Sequence, residues 1–496
     1  MAEYDIAVVG GGINGAGVAR DAAGRGLKVL LVEQNDLAAG TSSASTKLAH
    51  GGLRYLEQQA FDLVRASLAE RETLLRSAPH IVHPMRFVLP VQEGGRPAWF
   101  IRLGLLIYDL FAWRGSLPLA RRVNLNRDIA GNCLRRRDEV AFEYSDCTVD
   151  DARLVILNAV DAAERGAVIR VHTRCARAER SHEWTLVLDA RGRRSVATAR
   201  VLVNTTGPWT AQFSHQVLHA SQKAPVRLVK GSHIVVPKMF GHGRAYLFQN
   251  RDGRVIFAIP FHRDFTLIGT TDSDYAGDPG AVAATPADVA YLCDAVNGYF
   301  AKPISAADVV WAFAGIRSLY DDGREKAQEV SRDHVLQVDA ADGKAALVSL
   351  YGGKLTTYRR VAEEVLDRVA DFLTLGPAWT ASVPLPGGDI GKRPFEDFAA
   401  EIRGRWPFLE PAHAERLAAA YGTRVSRLLG QAQRYGDLGP DLGAGLTGAE
   451  VRYLMRHEWA ETSDDVLWRR TKLGLRFLPE QREALTRFMA GATGAA

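Results

Sequence analysis

Apolar and polar positions fall into three regimes along the chain. Near the start, Tyr4-Asp5-Ile6-Ala7-Val8-Val9 is an apolar, β-branched run that ends in Gly10-Gly11-Gly12. A helical stretch follows to about Arg25, and a second apolar run, Lys28 to Val32, ends in Glu33. Strand, glycine turn, helix, strand and acid in that order predict a dinucleotide-binding unit. In the middle, residues 226–236, 245–249, 254–260 and 265–271 are short β-rich runs broken by Gly, Asn and Asp, which suit an antiparallel sheet. After Pro384-Leu385-Pro386-Gly387-Gly388, which reads as a linker, strand-like runs vanish and helical patterns continue to Phe488. Residues 98–113 stand apart: they are rich in Trp, Phe and Leu, carry Arg102 and Asp109, and are too short to span a bilayer.

Composition narrows the class. The chain has 496 residues, 47% hydrophobic and 24% charged, which describes a globular protein rather than a disordered or fibrous one. At roughly 100–200 residues per domain it holds two to four domains. Met1-Ala2-Glu3 leads straight into the first strand, so no signal peptide is expected. The four cysteines form no CxxC pair, which argues against a zinc site or a disulfide framework and fits a reducing compartment. Of the 62 basic residues 51 are Arg and 11 are Lys, so a single Arg carries little information. Apart from 98–113, no basic run interleaved with aromatics resembles a nucleic-acid path, and no nucleic-acid partner is expected.

Each part of the first unit has a physical task. Gly10 permits a tight turn, Gly12 lets the backbone approach a pyrophosphate, and Gly15 lets helix and strand pack closely. The helix start offers free N–H groups and a positive dipole end. Glu33 can accept both ribose hydroxyls and would repel a 2′-phosphate. Two further features favour FAD over NAD. Gly40-Thr41-Ser42-Ser43-Ala44-Ser45-Thr46-Lys47 is hydroxyl-rich without apolar periodicity; Val201 to Pro208 is a short apolar strand running into a turn, and Gly352 to Thr357 a turn and helix start after a strand. An extended flavin needs contacts distributed in this way.

At these positions the sequence resembles the FAD-dependent glycerol-3-phosphate dehydrogenases of the respiratory, aerobic bacterial type. The resemblance rests on residues 10–27, 41–57, 142–155, 204–209 (NTTGPW), 230–237 (KGSHIVVP), 268–272 (IGTTD), 314–319 (AGIRSL), 351–359 (YGGKLTTYR) and 464–472. Thr205 stands where the family pattern has Ala, and Ser318 where it has Pro, a change expected to loosen a loop beside Arg317. The resemblance implies a glutathione-reductase-like, Rossmann-type FAD domain, an antiparallel-sheet substrate cap and a C-terminal all-helical domain. It divides the chain into FAD-binding parts at 1–80, 141–220 and 313–385. A cap or membrane-facing region at 81–140, the cap sheet at 221–312 and the helical domain at 390–490 complete it. Expected cofactor contacts are Gly10, Gly11, Gly12, Ile13, Asn14, Gly15, Glu33 and Gln34, then Thr41, Ser42, Ser45, Lys47 and Leu48. Gly207, Gly353, Lys354, Leu355 and Thr356 follow late in the chain.

Oxidation of an alcohol beside a phosphate needs an anchor for a dianion, a base and a hydride acceptor. Arginine suits the anchor, and the resemblance assigns Arg54 and Arg317 to the phosphate, with Tyr55 able to add a hydrogen bond. His50, in a Gly-flanked turn, and His233, on a strand, are equal candidates for the base. Lys354 can stabilise charge on the reduced flavin or polarise the substrate oxygen. The stretch 98–113, with Arg96, Arg114, Arg121 and Arg122 near it, suits an interfacial helix or equally a buried core or dimer helix. The resemblance favours the membrane, since these enzymes pass electrons to a quinone there. The expectation is a cytoplasmic protein bound peripherally to an anionic inner membrane face, with a homodimer open. The alternatives are an oxidase using O2, an amine or amino-acid oxidase of the same superfamily, or a non-catalytic flavin-binding scaffold.

Overall fold

The computed structural model describes residues 2–92, 95–113, 115–136, 140–219, 226–250, 253–321, 332–340, 343–391 and 393–493. Two sheets organise the chain ahead of the helical C-terminal part. The first is eight-stranded and built around β1 (Tyr4–Val9), which is hydrogen-bonded in parallel to β2 (Val29–Val32) on one side and to Arg193–Asn204 on the other. Ala346–Gly352 continues it in parallel, and Arg174–Arg180 and Trp184–Ala190 add an antiparallel meander. These parallel strands are continuous apolar runs because helices cover them: Ile6, Val8 and Val203 pack with Ala16 and Ala19 of α1 (Ile13–Gly24) and with Val155 and Val365 of the helices Asp151–Glu164 and Tyr358–Arg368.

The second sheet has ten strands and is mostly antiparallel. Its long central strand, Val226–Pro237, lies between Phe265–Gly269 and Trp311–Tyr320. Ala245–Gln249 and Val255–Phe261 continue it, so the four short runs of the middle region do form one sheet. Helices α2 (Phe61–Ser77) and α3 (Ala98–Phe111) cover one face through Leu68, Ile101 and Leu105. Pro286–Asn297 covers the other. Besides the two-residue strand Leu48–Ala49, two long strands fall outside their expected domains. Ala141–Val149 and Trp311–Tyr320, expected in the FAD-binding parts, belong to the second sheet because each pairs along most of its length with a strand there.

From Phe395 onward the helices Phe395–Arg405, Pro411–Tyr421, Gly448–Glu458 and Pro479–Thr493 enclose their own core. Buried ion pairs fasten this core to the first sheet's helices and loops: Arg153 with Glu458, and Arg470 with Asp36 at 2.7 Å.

Candidate active site

A cavity of about 870 Å³ opens between the two sheets at the carboxyl end of β1. At its floor, Gly10 adopts φ +113°, and a Cβ on Gly15 would lie 1.9 Å from the Gly10 carbonyl oxygen. Only glycine permits that approach of helix to strand. The non-family Thr205 is accommodated here by donating from Oγ1 to the carbonyls of Val9 and Gly10 at 3.0 and 3.1 Å. Glu33 accepts from the Gly11 and Asn35 N–H groups at 2.6 and 2.8 Å. A carboxylate has about four lone-pair directions, so acceptor capacity remains on the cavity side.

The surroundings fit FAD. A Cβ on Gly12 would lie 3.1 Å from Ser42 Oγ and fill the cradle between them. Asn14 lines the cavity with a buried Oδ1 that has no hydrogen-bond partner among the described residues. Gln34, Thr41, Ser42, Ser45, Leu48, Gly207, Gly353, Leu355 and Thr356 line the same space, as do Ile13, Gly10, Gly12 and Glu33. Gly11 and Gly15 lie behind this lining. Lys47 departs from expectation: it does not line the cavity, and its Nζ turns inward to both oxygens of Asp151, at 3.0 and 2.9 Å, and to the Ser43 carbonyl. It braces the hydroxyl-rich segment from behind.

Above the floor, His50, Arg54, Tyr55, Arg317 and Lys354 converge on the cavity from three distant segments. Gly52, at φ +85°, turns the chain between them, and a Cβ there would lie 2.2 Å from the Tyr55 ring. The Lys354 Nζ lies 4.7 Å above that ring and donates to the His50 and Gly51 carbonyls, both at 3.3 Å, and to Ser67 Oγ at 2.9 Å. Burial pulls Lys354 down to about 7. Burial, and then the Lys354 charge, pull His50 down to about 3, so its imidazole is neutral.

The two histidines are placed differently. His233 is buried, stacks on Phe313 at 5.0 Å, and shares a 2.9 Å hydrogen bond with Thr46 Oγ1 through Nε2. Thr46 lines the cavity and His233 does not. Room for this ring exists because position 269 is glycine, where a Cβ would lie 2.0 Å from His233 Cδ2. Lys230, on the opposite face of the strand, pairs with Asp288 at 2.7 Å.

Arg317 lies within the strand Trp311–Tyr320, so Ser318 loosens no loop: it pairs in register with Leu228. The Arg317 Nη1 meets Asp272 Oδ1 at 2.5 Å, and Arg332 approaches the same oxygen at 3.6 Å. Gly231 leaves space for this group, since a Cβ there would lie 2.8 Å from Arg317 Nη1. Two guanidinium groups share one carboxylate beside the cavity, and burial with the Arg317 charge pushes Arg332 below its usual value. Sequence reasoning missed Asp272 and Arg332: Asp272 lay inside a quoted motif without a role, and Arg332 was masked by the arginine-rich composition. Among the described residues no cluster of potential metal ligands occurs.

A parallel sheet with a glycine turn and terminal acid, closed by an antiparallel sheet over one cavity, defines a flavin-dependent oxidoreductase. The chain belongs to the FAD-dependent oxidoreductase family, whose model matches residues 5–359, while the C-terminal domain of alpha-glycerophosphate oxidase matches 378–492. It is 49% identical to a glycerol-3-phosphate dehydrogenase of Pseudomonas aeruginosa, over 98% of this chain and 95% of that one. It is 46% identical both to the aerobic glycerol-3-phosphate dehydrogenase of Escherichia coli, over 99% and 98%, and to a D-erythritol 1-phosphate dehydrogenase of Brucella abortus, over 98% and 98%. A crystal structure of the glycerol-3-phosphate dehydrogenase from Bacillus halodurans with FAD superposes with a TM-score of 0.81 at 29% identity, covering 100% of this chain and 92% of that one. The resemblance read from the motifs therefore holds along nearly the whole chain.

The histidines also set a pH dependence of stability. Burial holds His50 and His80 near 3 and His262 and His413 near 4, against about 6.5 in an unfolded chain. The unfolded state therefore binds more protons below about pH 6.5, and stability present above that value is lost as pH falls toward 4. Each group contributes at most about 1.4 kcal/mol per pH unit. Thermal unfolding of the holoprotein is expected at clearly lower temperature at pH 5 than at pH 7.5; an unchanged Tm across that range would contradict this.

Proposed function

We propose that the protein oxidises sn-glycerol 3-phosphate to dihydroxyacetone phosphate and that the electrons leave to a membrane quinone. The observation that carries the reading is the convergence of Arg54, Arg317, His50 and Lys354 on the cavity that the glycine turn opens into. Bound FAD supplies the acceptor for the hydride from C2 of the substrate. Arg317 and Arg54 hold the phosphate, whose oxygens the planar guanidinium groups meet two at a time. His50 takes the hydroxyl proton, because its ring is neutral and faces the cavity. An anionic substrate opposes the Lys354 charge and raises the His50 pKa toward the working range. The Lys354 ammonium stabilises negative charge developing on the substrate oxygen.

Electron exit follows from α3. Trp99, Leu103, Leu106, Leu110 and Trp113 form one exposed apolar stripe, 48–73% accessible, while Ile101 and Leu105 face the core. Arg102 is exposed on the same helix, whereas Arg96 is paired with Glu57 and Arg121 with Glu143; Arg114 lies outside the described residues. An exposed apolar stripe on a helix that carries a cation suits the interface of an anionic membrane. No helix among the described residues is long and apolar enough to cross a bilayer. Phe100, Leu103, Gly104 and Ile107 line the cavity, so α3 borders both the active site and the surface where a quinone would arrive.

The decisive assay compares glycerol 3-phosphate oxidation by the holoenzyme with a short-chain quinone and with O2. Fast quinone reduction is expected. Stoichiometric peroxide would indicate an oxidase, and no turnover with either acceptor would sink the proposal. D-erythritol 1-phosphate belongs in the same assay, because the 46% identical Brucella abortus relative is named for it. The smaller substrate is expected to show the higher kcat/KM. Leu106→Glu with Leu110→Glu is expected to lower binding to anionic vesicles at least tenfold, with soluble-acceptor activity unchanged within twofold. A fall in dimer content without a change in vesicle binding would reassign α3 to a subunit interface.

A further inference from the structure

The buried face of α3 carries one polar side chain aimed at the active-site turn. Tyr108 is 1% exposed, and its hydroxyl donates to Asp146, 2.8 Å from each carboxylate oxygen. The same hydroxyl accepts from the Gly51 N–H at 2.9 Å. Asp146, on the strand Ala141–Val149, is held in turn by Arg71 of α2 at 2.9 Å. Burial, with the Asp146 charge, keeps the Tyr108 hydroxyl protonated, so that it donates in one direction and accepts in the other. Glycine at 51 is required for this approach: a Cβ would lie 2.5 Å from the Tyr108 oxygen.

The N–H of Gly51 and the carbonyl of His50 belong to a single peptide group. Its N–H end meets Tyr108 and Asp146, and its carbonyl end accepts from Lys354 Nζ and from Thr356 Oγ1 at 3.4 Å. A peptide hydrogen-bonded at both ends is fixed in plane and polarised, and its carbonyl becomes a better acceptor for an ammonium. We infer that Tyr108, backed by Asp146, is a positioning residue that orients the His50–Gly51 peptide and through it the Lys354 ammonium. The inference rests on the role proposed for Lys354. It makes α3 more than a docking helix, since its inner face sets the geometry of the site its outer face serves.

The test is Tyr108→Phe, alone and combined with Lys354→Met, with flavin reduction by glycerol 3-phosphate followed in single turnover. The ring still packs against Tyr144, 6.0 Å away and edge-on, so folding is expected to survive. Tyr108→Phe is expected to slow reduction about tenfold with substrate Kd and FAD content unchanged. In the Lys354→Met background the same change is expected to cost less than twofold, because the group it positions is gone. A tenfold loss in both backgrounds, a loss that follows FAD content, or no loss in the single variant would each overturn the inference. Failure of the functional reading is separate: it would show as absence of glycerol 3-phosphate-dependent reduction in the unaltered protein.

Discussion

His50→Gln is expected to lower kcat by about a thousandfold, with FAD content intact and KM within a few-fold of the unaltered protein. The magnitude is that of a lost general base, about 10²–10⁴ in rate. Glutamine keeps comparable size and a hydrogen-bonding terminus but cannot hold a proton at neutral pH. His50 is the candidate that lines the cavity, and burial beside Lys354 keeps its ring neutral. His233 donates or accepts through Thr46, which stands between it and the cavity. His233→Gln is therefore expected to cost about tenfold or less, by displacing Thr46 rather than by removing the base. Steady-state kinetics of the two variants decides the matter: a thousandfold loss at His233 with little at His50 would exchange the assignments.

Gly15→Val is expected to yield protein with less than a tenth of the normal FAD content and correspondingly little activity. The obstruction is backbone, since a Cβ would sit 1.9 Å from the Gly10 carbonyl oxygen and 2.7 Å from Thr205 Oγ1. Neither β1 nor α1 can retreat, because Ile6, Val8, Ala16 and Ala19 are fully buried between them and the neighbouring helices. The helix start must shift, and with it the N–H groups that meet the pyrophosphate. Absorbance of flavin against protein in the purified variant measures this directly. Full flavin occupancy with normal Tm would show that the turn is not the cofactor's seat.

How much of this was legible beforehand depends on the distance over which each fact is encoded. The glycine turn, Glu33 and the hydroxyl-rich segment lie within about one βαβ unit, where strand and helix periodicity position side chains without help from the rest of the chain. The motif lysines show the limit of that reading. Lys354 reaches the cavity, but Lys47, equally embedded in a motif, is drawn inward by Asp151, 104 residues away. The register that places Arg317 beside Asp272 depends on the pairing of Trp311–Tyr320 with Val226–Pro237. Membership of Ala141–Val149 in the second sheet, and hence the position of Asp146 under Gly51, depends in the same way on pairing with Val82–Pro90.

The sequence by itself therefore determined the FAD-binding unit, the order of a parallel sheet, an antiparallel sheet and a helical C-terminal part, and a short list of candidate arginines, histidines and lysines. Only the tertiary structure decided which histidine faces the cavity, that Arg332 and Asp272 join Arg317, and that Tyr108 reaches the active-site turn. The physical reason is the same in each case. Spacing within one element fixes which face a side chain occupies, whereas its neighbours across a sheet or between helices are set by long-range pairing and packing.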